Sequence, residues 1–171
     1  MPTFQEFMDT VRDGVEQVGG QLGPEDDWLP MAFLEREDPE STDGVAELTM
    51  VGIDPEYMDE EERKEFLGSV VLPSIVEKMK ARKYAFLSTA WMAKVGREED
   101  GSVDTSIPPS EHPDRMEVVI ITACDREIAE FCYAEIIRTP DHPPMLTPWE
   151  TMARGIEVEG RFIDSVREVM R

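Results

Sequence analysis

Residues 116–137, MEVVIITACDREIAEFCYAEII, decide the fold. Residues 116–123 are almost entirely apolar, which predicts a central strand covered on both faces. Residues 128–137 alternate more loosely and predict a second strand. Only CDRE, residues 124–127, separates them. A connection that short joins antiparallel strands, because a parallel pair needs a crossover of about a dozen residues or more. The chain therefore holds an antiparallel sheet rather than a series of βαβ units.

The flanking sequence supplies further elements. AFLSTAWMAKV, residues 85–95, predicts another strand. WLPMAFLERE (28–37) and GVAELTMVGI (44–53) predict two more, joined as a hairpin through a polar loop ending in Asp43-Gly44. Val45, Leu48, Met50 and Ile53 mark the apolar positions of the second, with one slip of phase. Pro30 places the first strand at an edge or delays its start.

Thr3 and Glu6 form a capping box ahead of Phe4, Phe7, Met8, Val11, Val15 and Val18 at helical spacing, and Gly19-Gly20 end that helix. Residues 59–83 predict a long second helix with Phe66, Leu67, Val70, Val71, Ile75, Val76 and Met79 on one face. Pro73 forfeits a hydrogen bond to Ser69 and is expected to kink or divide it, since a proline inside a helix costs about 3 kcal/mol. Thr147-Pro148-Trp149-Glu150 carries a helix-start signature and predicts a third helical region broken by Gly155 and Gly160. Phe162, Ile163, Val166, Val169 and Met170 then predict a C-terminal amphipathic helix. The expected fold is α+β: a single domain over residues 1–171, with an antiparallel sheet of about five strands packed with three to four helices.

Charge is distributed unevenly. The chain has 38 acidic and 17 basic residues among 171, a net charge of −21. Residues 1–62 hold 19 acidic and 2 basic residues, a net of −17, and the remainder holds −4. Salt adaptation would suit the ratio of 5 lysines to 12 arginines, but it spreads acid over a whole surface. Dipole-matched ends of the second helix account for Asp59, Glu60, Glu61 and Glu62. Without those four, residues 1–58 still carry −13. Such a field repels phosphate backbones and anionic membranes, so neither nucleic acid nor membrane is an expected partner. Two readings of it stand side by side, a solvated surface with no specific meaning and a face that attracts a basic protein or a cation.

The loops carry the candidate chemistry. PPSEHPDR, residues 108–115, packs Glu111, His112, Asp114 and Arg115 around Pro113 and behind Pro108 and Pro109, and PDHPP, residues 140–144, repeats the His-Pro pattern with Asp141 and His142. The first loop precedes strand 116–123 and the second follows strand 128–137. An antiparallel pairing brings both to the same end of the sheet. The candidate catalytic residues are Glu111, His112, Asp114, Arg115, Asp141 and His142, with His112, His142, Asp114 and Asp141 as candidate metal ligands. Against this stands a plain use of the same residues as turn formers and surface ion pairs. Cys124-Asp125-Arg126 lies at the opposite end of the sheet and is expected to hold a half-buried structural cysteine. Cys124 and Cys132 belong to no metal or redox spacing, which fits reduced thiols in a cytoplasmic protein. No cofactor motif is present, the N-terminal stretch shows no leader pattern, and no apolar run is long enough to span a bilayer.

The pattern of a strand ending in AWMAKV, a variable loop, PSEHPDR and a hydrophobic strand resembles that of uncharacterised proteins from bacteria and their phages. The resemblance covers roughly residues 86–123 and implies a small cytosolic protein, phage-borne in one version, with no catalytic role to carry over. The expected function is that of an acidic binding or accessory protein that contacts a basic protein partner through its N-terminal third, one version being an inhibitor that mimics nucleic-acid charge. The alternatives are a metal-assisted hydrolase at the two His-Pro loops and a structural or assembly protein, with a homo-oligomer open in each case.

Overall fold

The computed structural model describes residues 2–38, 40–44, 46–94, 97–103 and 105–170. The expected strand positions Val45 and Val95 lie outside them. In chain order the elements are α1 (Phe4–Gly19), β1 (Met31–Glu37), β2 (Ala46–Gly52), α2 (Glu61–Phe66), α3 (Leu72–Met79), β3 (Lys83–Met92), β4 (Met116–Cys124), β5 (Ala129–Ile137), β6 (Met145–Leu146), β7 (Glu150–Gly155) and α4 (Asp164–Met170). A π-helical turn over Leu67–Val71 joins α2 to α3 without a break.

The strands form a seven-stranded sheet in the order β2-β1-β3-β4-β5-β6, with β7 also on β5, and every pairing is antiparallel. The architecture is thus mixed helix and sheet, with more strands than the expected five. The β4–β5 turn is tied by Asp125, whose carboxylate accepts the N–H groups of Glu127 (2.7 Å) and Ile128 (2.8 Å). Pro30 does delay β1 to Met31, but β1 is an interior strand between β2 and β3.

Two departures from the sequence reading have local causes. The stretch after Thr147 is a strand, not a helix. Thr147 spends its hydroxyl on the Glu135 N–H (2.9 Å), its own N–H goes to the Glu135 carbonyl, and Glu150 bonds the Tyr133 hydroxyl. The groups that would cap a helix are pinned to β5 instead. The second helical stretch starts at Glu61 and ends at Met79, where Lys80 adopts a left-handed conformation (φ 53°) and closes it. Pro73 falls at the start of α3, directly after the π turn. The wider turn, with the Leu72 N–H reaching back to the Leu67 carbonyl, takes up the backbone mismatch that a proline creates.

Each face of the sheet has its own core. α1 inserts Phe4, Phe7, Met8, Val11 and Val15 against Phe33, Leu87, Val119, Ile121 and Ile136. Leu67, Leu72, Val76, Ile163, Val166 and Met170 cover the other face over Ala32, Leu34, Tyr84, Phe86 and Cys124. Each large apolar side chain so buried contributes about 1.5–3 kcal/mol. Gly19 is required where α1 ends, because a Cβ there would stand 2.3 Å from the Trp28 ring. That ring is fixed by its own N–H, which donates to the Val15 carbonyl at 2.8 Å.

Candidate functional site

The two His-Pro loops do leave the same end of the sheet. Val118 pairs with Glu135 in antiparallel register, so the chain entering β4 and the chain leaving β5 are neighbours. Each loop is nevertheless held by bonds of its own, through the His112 side chain in one and the His142 main chain in the other. A short 3-10 turn over Pro109–Glu111 presents His112, whose Nδ1 accepts the Asp114 N–H at 3.1 Å. Arg115 lies over the Trp91 ring, 5.0 Å from its centroid, and Glu111 and Asp114 are exposed.

Asp141 takes a left-handed backbone (φ 65°), and His142 donates its N–H to the Thr139 carbonyl at 3.2 Å. His142 borders an open cleft of about 350 Å³ shared with Glu16, Trp28 and Pro144. Among the described residues no hydrogen bond or ion pair joins the two loops, and no group of three or more His, Cys, Asp or Glu residues is placed to hold a metal ion.

The residue that organises this end was not among the candidates. Arg138 follows β5 and reaches Glu117 on β4 (2.7 and 3.2 Å), the carboxylate of Asp27, and the carbonyls of Pro24 (3.1 Å) and Asp26 (2.9 Å). The Glu117 carboxylate, aided by Asp27, raises the guanidinium pKa above its already high ordinary value. This clamp fastens the 24–27 loop across two strands. A signal existed in the sequence: Glu117 is the one charged residue inside an apolar strand, and the paired strand ends one residue before an arginine.

Both cysteines are buried and free. Desolvation pushes the Cys124 thiol up to about 12, and burial also raises Cys132. Tyr84, fully buried beside Cys124, has its phenol held well above the usual range by the same cause. These are thiols kept neutral, the opposite of an activated nucleophile.

The acidic third of the chain divides into two populations. Glu35 is buried against Lys83 at 2.5 Å, Glu47 pairs with Arg36 at 2.9 Å, and Glu37 pairs with Arg82 at 3.0 Å. Asp13, Glu25, Asp43, Asp54, Glu56 and Glu62 are exposed, and among the described residues none makes an ion pair. Residues 38–62 contain ten acidic residues and no lysine or arginine, so this stretch has no internal counter-charge.

No known protein family, curated protein or solved structure matches this chain. Among the described residues no helix is long and apolar enough to cross a membrane.

Proposed function

We propose that this protein is an acidic binding or accessory protein whose N-terminal third contacts a basic surface on a partner protein. The observation that carries this reading is the set of exposed carboxylates within residues 38–62 that make no ion pair among the described residues, Asp43, Asp54, Glu56 and Glu62 among them. Like charges held on one surface raise the local potential and the capture rate of a cationic partner, and they disfavour phosphate backbones. The reading needs no bound cofactor. The His112 and His142 loops offer less support for a metal-assisted hydrolase, because among the described residues no group of three or more His, Cys, Asp or Glu side chains is placed to hold a metal ion.

The test is a comparison of two immobilised proteins, the natural chain and one with Asp43, Asp54, Glu56 and Glu62 changed to the corresponding amides. A basic protein retained by the first, released by rising salt and not retained by the second is the expected result. Retention that is equal on both at low ionic strength overturns the reading.

A further inference from the structure

β2 ends the sheet on one side, and among the described residues its only strand partner is β1. Among the described residues no other hydrogen bond reaches the main chain of residues 46–52. In an antiparallel edge strand, alternate residues turn their N–H and C=O groups away from the paired strand, leaving a ready template. Proteins usually guard such an edge with lysine, proline or a bulge. AELTMVG has no lysine and no proline, and its register with β1 runs through seven consecutive pairs without a shift. Leu48 and Met50 are 39% and 54% exposed. Glu47, the only charge on the strand, is already neutralised by Arg36.

The charge lies at the two ends of the strand instead. Asp43 precedes β2, Asp54 and Glu56 follow it, and none of the three has an ion-pair partner among the described residues. Two copies meeting edge to edge would bring these acidic ends together and repel. A cationic strand meets the opposite balance, with main-chain hydrogen bonds along its length and favourable charge at both ends.

We infer that β2 is a docking edge for an extended, lysine- or arginine-rich segment of a partner protein, which adds to the sheet as an outer strand. This rests on the acidic-surface reading above and gives its mode of contact. Main-chain bonds supply the affinity, and alternate apolar side chains of the segment lie over Leu48 and Met50.

Two probes of equal charge test it, acetyl-(Lys-Val)4-amide and acetyl-(Lys-Pro)4-amide, the second being unable to pair as a strand. Binding is measured with the full chain at low ionic strength, and amide hydrogen exchange is followed by NMR. The expected result is that the valine peptide binds about tenfold or more tightly than the proline peptide and slows exchange at alternate residues within 46–52. A Leu48→Lys, Met50→Lys double variant, at two exposed positions, should weaken the valine peptide about tenfold with its circular dichroism unchanged. Equal binding of both peptides with no slowing in β2 overturns the docking edge and leaves the acidic surface standing. No binding of either peptide overturns both. A chain that is already dimeric, with those amides protected before peptide is added, assigns the edge to a second copy and also overturns the inference.

Discussion

Glu130 and Asp43 are the same kind of charge kept under opposite conditions. Glu130, on β5 beneath α1, is 1% exposed and sits between Arg12 at 2.9 Å and Arg154 at 3.5 Å. Asp43, toward the opposite edge of the sheet, is exposed and without an ion-pair partner among the described residues. The first costs desolvation, so it has to be compensated and belongs to the fold. The second keeps its water and its field, and folding does not depend on it. A large net charge is therefore compatible with a paired buried carboxylate, because exposed carboxylates such as Asp43 keep their hydration.

The most direct way to break this comparison is Glu130→Ala, which leaves the largely buried Arg12 without its carboxylate partner. It should lower the unfolding free energy by about 3–5 kcal/mol in chemical denaturation. A loss under about 1 kcal/mol would place Glu130 in the same class as Asp43. Arg138→Ala removes the clamp on the 24–27 loop and should cost about 2 kcal/mol, with faster amide exchange across that loop.

The buried side of the comparison also includes Cys124. Its folded pKa of about 12 lies above the ordinary 9.0, so the folded state holds the proton more tightly than the unfolded state. The contribution to stability is complete below pH 9.0 and is lost as pH rises toward about 12, by about 1.4 kcal/mol per pH unit inside that window. Cys124→Ala should flatten the alkaline slope of a stability–pH curve, and an unchanged slope would remove the thiol from the account.

The smallest effect is expected on the exposed side. Asp43→Asn with Glu56→Gln should shift stability by no more than about 0.5 kcal/mol, with any gain fading as salt is added. A destabilisation of about 2 kcal/mol or more would mean that these carboxylates hold structure after all.

What the sequence disclosed depended on how local the determining interactions were. The β4–β5 hairpin was readable because its apolar runs and the Asp125 turn are contiguous in the chain. α1 was readable because Thr3 and Glu6 close their capping box within one turn, with both reciprocal hydrogen bonds formed. β7 was not, because the Thr-Pro-Trp-Glu signature is locally a helix start and only Glu135 and Tyr133, on another strand, redirect it. Site residues followed the same rule. Topology put the His112 and His142 loops at one end of the sheet, but which groups engage each other there was decided by Arg138 reaching back more than a hundred residues to Asp26 and Asp27.

Arg167 on α4 is 7% exposed and donates to the carbonyls of Ile156, Val158 and Glu127, while Val166 and Met170 complete the core on the helical face of the sheet. During synthesis, α1 and β1–β5 are made before the residues that seal this face. Until Ile163–Met170 emerge, Tyr84, Phe86 and Cys124 lack part of their cover, and the turn between β4 and β5 lacks its tether. The nascent chain thus passes through an interval in which one face of the sheet can fold while the other stays sticky. A chain cut off before residue 163 should leave that face uncovered and recruit chaperones, and a chain that includes residues 163–170 should not.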